Sequence, residues 1–283
     1  MCTTCGCSNG ARAKITDLTT HKLQRVGEHD LRDAYVRMPQ HDVDHGHDHP
    51  HRHELDPAYS HARAHGTTID LEQEILAKNN RLAALNRDWL KDRNILALNL
   101  VSSPGAGKTT LLEHTLRDLA GTIAISVVEG DQETLFDAER IRATGCPAVQ
   151  INTGTGCHLE AEMLAGALKQ LDPSPNSLVM VENVGNLVCP ALFDLGERAK
   201  VVILSVTEGA DKPLKYPHMF RASSLMIISK IDLLPYVDFD VDACIAFARR
   251  INPDIEVLQL SATHGEGLPH WYAWLRRQLF SEV

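Results

Sequence analysis

Three features of the sequence predict an α/β fold whose mostly parallel sheet is flanked by helices on both faces. Short apolar, β-rich runs recur at 95–101, 122–128, 148–151, 178–181, 201–206, 225–228 and 255–260. Helical patterns stand between them near 109–119, 135–143, 158–171, 240–251 and 268–280, an alternation that yields parallel strands joined by buried crossovers. The chemistry-bearing stretches fall at or just past the carboxyl ends of the runs, where open α/β sheets collect their ligands.

The first run passes straight into Ser102-Ser-Pro-Gly-Ala-Gly-Lys-Thr-Thr-Leu-Leu112. Strand, tight turn and helix in that order form a phosphate-binding loop, so the fold class is that of a P-loop NTPase. Gly105 and Gly107 let backbone N–H groups close on an anion, Lys108 adds a point charge for the β- and γ-phosphates, and Thr109 supplies a hydroxyl for Mg²⁺. Ala106 and Thr110 belong to the same cradle. The loop departs from GxxxxGK[ST] at its first glycine, which is Ser102.

A chain of 283 residues suffices for one sizeable α/β core or two small domains. Its net charge of −9 argues against a nucleic-acid partner. No apolar run nears the ~18 residues that cross a bilayer, and the start lacks a basic-then-apolar leader; no membrane partner and a cytoplasmic location are expected. Seven cysteines, an odd number, predict reduced thiols rather than a disulfide framework.

Residues 1–66 differ in composition from 67–283 and are expected to be a flexible, disordered metal-binding segment ahead of the nucleotide domain. Cys2, Cys5 and Cys7, with Gly6 allowing a reversal, could turn three soft thiolates onto one Ni²⁺, Zn²⁺ or Cu⁺ ion. His45, His47, His49, His51 and His53 alternate in a stretch without apolar partners, which suits buffering of divalent ions, or a solvated linker. From 68 to 90, Leu71, Ile75, Leu82, Leu85 and Trp89 keep near-helical spacing, predicting a helix that leads into the nucleotide domain.

Past the next runs stand Glu129-Gly-Asp131 and Glu182-Asn-Val-Gly185. A strand-end carboxylate beside a phosphate loop holds Mg²⁺, and Gly185 can bring its N–H toward a γ-phosphate. Glu182 takes the aspartate's place in the D-x-x-G pattern of GTPases, and Asp131 and Asp137 fall where a first switch segment belongs. Asp137 reads equally well as an exposed first-turn carboxylate beside Arg140. Ser229-Lys230-Ile-Asp232 resembles the N-K-x-D motif with serine in the asparagine position. Asp232 could accept both the N1–H and the amino hydrogens of guanine, which adenine cannot supply. Ser261-Ala262-Thr263 follows the next strand as a guanine-O6 loop does. GTP is expected over ATP.

Cys157, His158 and Cys189 also follow strand ends, and together they make a sulfur–nitrogen–sulfur set for Zn²⁺ or Ni²⁺. The alternative is that both cysteines are small buried hydrophobes, the role assigned to Cys146 and Cys244. His114, His218, His264 and His270 show no partner at a useful spacing.

Taken together, CTTCGC at the start, LVSSPGAGKTTLL, VVEGD, NTGTGCHL, ENVGNLVCP, SVTEGADKPLKYP, SKIDLLPY and INPDIEVLQLSAT resemble the hydrogenase nickel-incorporation GTPases of the HypB family. The resemblance spans residues 1–7 and about 68 onward. It implies slow hydrolysis of GTP to GDP that gates Ni²⁺ delivery to a [NiFe]-hydrogenase large-subunit precursor, with a homodimer and a HypA-type nickel chaperone as partners. It also implies a tight nickel site at Cys2, Cys5 and Cys7, a weaker nickel or zinc site at Cys157, His158 and Cys189, and a Lys215 that reaches the partner subunit's nucleotide. Two rivals from other classes are a small-molecule kinase, which the guanine motifs disfavour, and a passive metal store.

Overall fold

The computed structural model describes residues 13–18, 23–25, 57–131 and 136–280. Cys2, Cys5, Cys7 and the His45–His53 tract lie outside them. The strands are β1 (Lys14–Asp17), β2 (Leu23–Arg25), β3 (Leu96–Ser102), β4 (Ile125–Asp131), β5 (Ala148–Asn152), β6 (Leu178–Glu182), β7 (Ala199–Ser205), β8 (Leu225–Ser229) and β9 (Glu256–Leu260). The helices are α1 (Pro57–Asp92), α2 (Lys108–Asp118), α3 (Phe136–Arg142), α4 (Ala161–Leu171), α5 (Lys212–Lys215), α6 (Pro217–Ala222), α7 (Val241–Ile251) and α8 (Leu268–Phe280). One sheet runs in the order β2-β1-β5-β4-β6-β3-β7-β8-β9. The strands from β3 to β9 are parallel, and β1 and β2 add an antiparallel edge.

Strands β3, β6, β7 and β8 are buried along their whole length, so their sequences show continuous apolar runs instead of alternation. On one face Leu98, Leu100, Val127 and Met180 pack with Leu111, Leu112, Trp271 and Trp274 of α2 and α8. On the other, Val128, Val149 and Val181 meet Leu164 and Leu168 of α4, and Val202, Leu204 and Ile228 meet Phe220 and Ala248 of α6 and α7. Each such Leu or Ile contributes about 1.5–3 kcal/mol by leaving water.

Several boundaries differ from the sequence reading. Strand β4 occupies 125–131 rather than 122–128, because Glu129, Gly130 and Asp131 pair with Gln150, Ile151 and Asn152 of β5. Gly130 is needed there, since a Cβ would sit 2.9 Å from the Leu159 side chain. The division at residue 66 does not hold for the described residues. Ile15, 2% exposed, belongs to the core, and β1 pairs with β5. Helix α1 begins at Pro57, not 68. One isolated apolar residue in a four-residue strand is too short a pattern to read. Helices α5 and α6 were not anticipated; each opens with a proline in its first turn, where the missing N–H costs nothing. Among the described residues no helix is long and apolar enough to cross a membrane.

Candidate nucleotide and metal site

The loop between β3 and α2 holds Gly105 at φ +72° and Gly107 at φ +98°, backbone angles that favour glycine. Gly107 is the residue from which α2 starts, so the unpaired N–H groups of that helix face the loop and favour an anion. Lys108 is buried, and its Nζ donates to Ser102 Oγ at 2.8 Å. The departure from consensus is therefore a partner for the lysine that glycine could not provide. Burial lowers the Lys108 pKa, opposed by Glu182, Asp137, Glu129 and Glu208.

Thr109 Oγ1 donates to Glu182 Oε1 at 2.7 Å, and Glu182 Oε2 is buried without a hydrogen-bond partner. Glu129 stands in register with Glu182 on the neighbouring strand, so the two side chains rise from the same face of strands about 4.8 Å apart. Glu129 Oε2 is likewise buried and unpartnered. Burial, then the nearby Glu182, pushes the Glu129 carboxyl up to about 9; burial raises Glu182 as well. A threonine hydroxyl beside two buried carboxylate oxygens lacking partners is a hard-oxygen set that fits Mg²⁺. The sequence places Asp131 in a switch segment and gives Glu129 no role of its own; residues two apart on a strand share a face, so alternation cannot separate the two carboxylates.

Asp137 lies in the first turn of α3, and its charge acts on Lys108, Glu129 and Glu182. Arg140 pairs with it at 3.3 Å and with Glu113 at 2.8 Å, and donates to Thr110 Oγ1 at 3.2 Å, tying α3 to α2. Gly185 brings the segment after β6 against the loop: a Cβ would lie 3.0 Å from Pro104 Cα. Lys215 is exposed and pairs with Asp211 at 2.7 Å. Its neighbour Lys212 is the one that reaches the loop, at Ser103 Oγ, 3.3 Å.

The first predicted base-recognition segment reaches the same loop, and the second joins the first. Ser229 Oγ donates to Ala106 O at 2.7 Å and Lys230 Nζ to Gly105 O at 2.7 Å. Asp232 Oδ1 is buried without a hydrogen-bond partner, an acceptor suited to a base edge. Asp232 Oδ2 lies 3.6 Å from His264 Nδ1, which is 3.2 Å from Ser261 Oγ. His264, read as partnerless, thus joins the two segments; Ser261 is fully buried and Ala262 partly so.

A second cluster lies past β5 and β6. The sulfurs of Cys157 and Cys189 are 3.0 Å apart, and Cys157 Sγ is 3.7 Å from His158 Nδ1. The three ligand atoms lie within 4.8 Å of one another. Both cysteines are half-buried, whereas Cys244 is fully buried. Helix α4 starts only at Ala161, so Cys157 and His158 sit in irregular chain that lets adjacent side chains converge. Gly154 at φ +60° and a Thr153 Oγ1 bond to Gly156 O at 2.7 Å shape that turn. Asn186 Nδ2 reaches across to Cys157 O at 3.2 Å. Burial pushes His158 down to about 4, which keeps its imidazole neutral and free to ligate; the Phe193 ring covers it at 3.9 Å between centroids.

Residues 96–259 match the CobW/HypB/UreG nucleotide-binding domain. A hydrogenase maturation factor HypB of Escherichia coli (strain K12) is 48% identical over 98% of this chain and 99% of that protein. The crystal structure of a HypB from Archaeoglobus fulgidus superposes with a TM-score of 0.67 at 40% identity, covering 72% of this chain and 99% of that one. A HypB from Helicobacter pylori, solved in complex with nickel, gives 0.66 at 39% identity over 71% and 95%. The parallel sheet, the glycine loop at its carboxyl edge and the near-full-length identity make the conclusion plain: this chain belongs to the HypB family of hydrogenase maturation factors.

Proposed function

We propose that the chain binds and hydrolyses GTP and that the nucleotide state controls uptake and release of Ni²⁺ at Cys157, His158 and Cys189 for hydrogenase maturation. The observation that carries this reading is one short segment. Glu182, bonded to Thr109 of the loop, is followed seven residues later by Cys189, which rests against Cys157. A carboxylate at the phosphate end and a thiol at the metal end share one stretch of backbone.

In hydrolysis, water attacks the γ-phosphorus, the bond to the β–γ bridging oxygen breaks, and GDP and phosphate leave. Lys108 and the N–H groups opening α2 stabilise the charge that develops on the phosphate oxygens. Thr109, Glu182 and Glu129 would hold Mg²⁺, which when bound neutralises charge between the β- and γ-phosphates. Asp232 and the Ser261–Ala262 segment select guanine. Slow turnover belongs to the same reading.

Two thiolates and a neutral imidazole suit Ni²⁺ or Zn²⁺, and the nickel complex of the Helicobacter pylori relative favours nickel as cargo. Val188 and Leu192, 55% and 51% exposed on either side of Cys189, supply apolar surface for a second copy, so a homodimer formed across this face belongs to the reading. In it Lys215 approaches the partner subunit's nucleotide. The Cys2/Cys5/Cys7 cluster and the histidine tract gather nickel, a HypA-type chaperone and the hydrogenase precursor receive it, and the chain works in the cytoplasm.

The test is GTP turnover and nickel stoichiometry of the full-length chain beside its Lys108→Ala and Cys157→Ala variants. Lys108→Ala should abolish hydrolysis and keep the metal; Cys157→Ala should lose one nickel equivalent and keep hydrolysis. Turnover by Lys108→Ala at the parent rate would refute the assignment.

A further inference from the structure

A buried chain of amides runs between the two sites. Asn183, directly after Glu182 and 2% exposed, accepts at Oδ1 from the N–H groups of Leu159 at 3.2 Å and Val184 at 3.0 Å. Its Nδ2 donates to Asn99 Oδ1 at 3.1 Å, and Asn99 Nδ2 donates to Glu197 Oε1 at 3.1 Å. Glu197 in turn accepts from Lys200 Nζ at 2.5 Å and from Leu195 N at 2.7 Å, and the same Nζ donates to Phe193 O at 3.1 Å. The amide orientations are forced, because an oxygen facing two backbone N–H groups cannot be the NH₂ end.

Both ends of this chain close on His158. Leu159 is its neighbour in sequence, and the Phe193 ring lies 3.9 Å from its imidazole. Asn183, beside the Leu159 end of the chain, is one peptide bond from Glu182. Asn99 is fully buried in the central strand between Leu98 and Leu100, a position where an apolar side chain would pack without needing partners. Breaking any link leaves a buried N–H unpaired at about 1–3 kcal/mol, so the end of β6 and the backbone beside His158 are held to move together.

We infer that Asn183 is the positioning residue through which a displacement of Glu182 is transmitted to His158. The inference rests on the reading above, that nucleotide state alters nickel affinity. It differs from that reading in naming the path, which runs through Asn183 and Asn99 as well as along the backbone to Cys189.

The experiment uses the full-length chain carrying Cys2→Ala, Cys5→Ala and Cys7→Ala, so that sulfur-to-nickel charge-transfer absorption reports the inner site. Ni²⁺ is titrated with GDP and with a non-hydrolysable GTP analogue; the histidine tract competes equally in both states and leaves their ratio intact. The parent should show an affinity ratio of about fivefold or more. Asn183→Ala and Asn99→Ala should bring it within about twofold of unity, with nickel still bound in the GDP state. If Asn183→Ala does not fold, Asn99→Ala decides, because it unties Asn183 Nδ2 and so frees the amide that holds Leu159 N. Variants that keep the parent's ratio, or that lose nickel in both states alike, overturn the role of Asn183 alone. A parent ratio of one overturns the underlying reading.

Discussion

The sulfurs of Cys157 and Cys189 lie 3.0 Å apart although 32 residues separate them in the chain. Two loops past the carboxyl edge of the sheet bring them together, and His158 Nδ1 completes a set whose members lie within 4.8 Å of one another. Removing either sulfur should therefore remove a metal equivalent. Cys157→Ala and Cys189→Ala are expected to lose one bound nickel by equilibrium dialysis, while Cys146→Ala, whose sulfur faces Ile125 O at 3.1 Å, should bind as the parent does.

Glu129 gives the chain a pH dependence of definite sign. Its carboxyl titrates near 9 when folded and near 4.5 when unfolded, so between these values the folded chain holds the extra proton and stability falls as pH rises. Glu129→Gln keeps the shape and cannot ionise. Without Mg²⁺ or nucleotide, its melting temperature should exceed the parent's at pH 8 and approach it near pH 5. A parent curve that rises across this range would contradict the assignment. With Mg²⁺ the order should reverse for nucleotide affinity.

Asp232 offers a buried acceptor without a partner. Asp232→Asn replaces an acceptor by a donor, which opposes the guanine amino group and complements the 2-oxo group of xanthine. GTP affinity should fall about tenfold to a hundredfold, the worth of about 1–3 kcal/mol in a buried hydrogen bond, and XTP should gain. Competition against a fluorescent nucleotide reads both changes.

Helix α1 is fastened by two asparagines. Asn79 Oδ1 accepts from Ala161 N at 2.9 Å, and Asn86 Nδ2 donates to Ala161 O at 2.8 Å and Leu195 O at 2.9 Å. Gly196, at φ +91°, passes so close that a Cβ would meet Ala83 O at 2.4 Å. Asn86→Ala should cost on the order of 1–3 kcal/mol in chemical denaturation. Because Ala161 follows His158 by three residues and Leu195 follows Phe193, which covers the imidazole, by two, it should also loosen nickel binding.

Strands β3, β6, β7 and β8 were readable because burial on both faces leaves near-continuous apolar runs, and the loop was readable because its glycines, lysine and threonine stand in fixed order. What escaped were residues whose role comes from long-range neighbours. Glu129 is an ionisable residue yet lies within β4, in register with Glu182 on the neighbouring strand. Asn79 and Asn86 look like an outward helix face but are buried as clamps. Asn99 interrupts an apolar strand for the sake of Asn183, 84 residues away. Ser102 looked like a flaw in the consensus until the Lys108 ammonium was found on its hydroxyl. Adjacent Cys157 and His158 could be paired with Cys189 as a hypothesis, since all three follow strand ends.

Coupling between sites is reciprocal, so bound nickel must bias the nucleotide preference by the same factor that nucleotide biases nickel. The decisive measurement is the affinity of the full-length chain for a non-hydrolysable GTP analogue and for GDP, each with and without saturating Ni²⁺. Nickel should shift the analogue-to-GDP affinity ratio about fivefold or more, and Cys189→Ala should cancel the shift. A ratio indifferent to nickel in the parent chain would contradict the coupling.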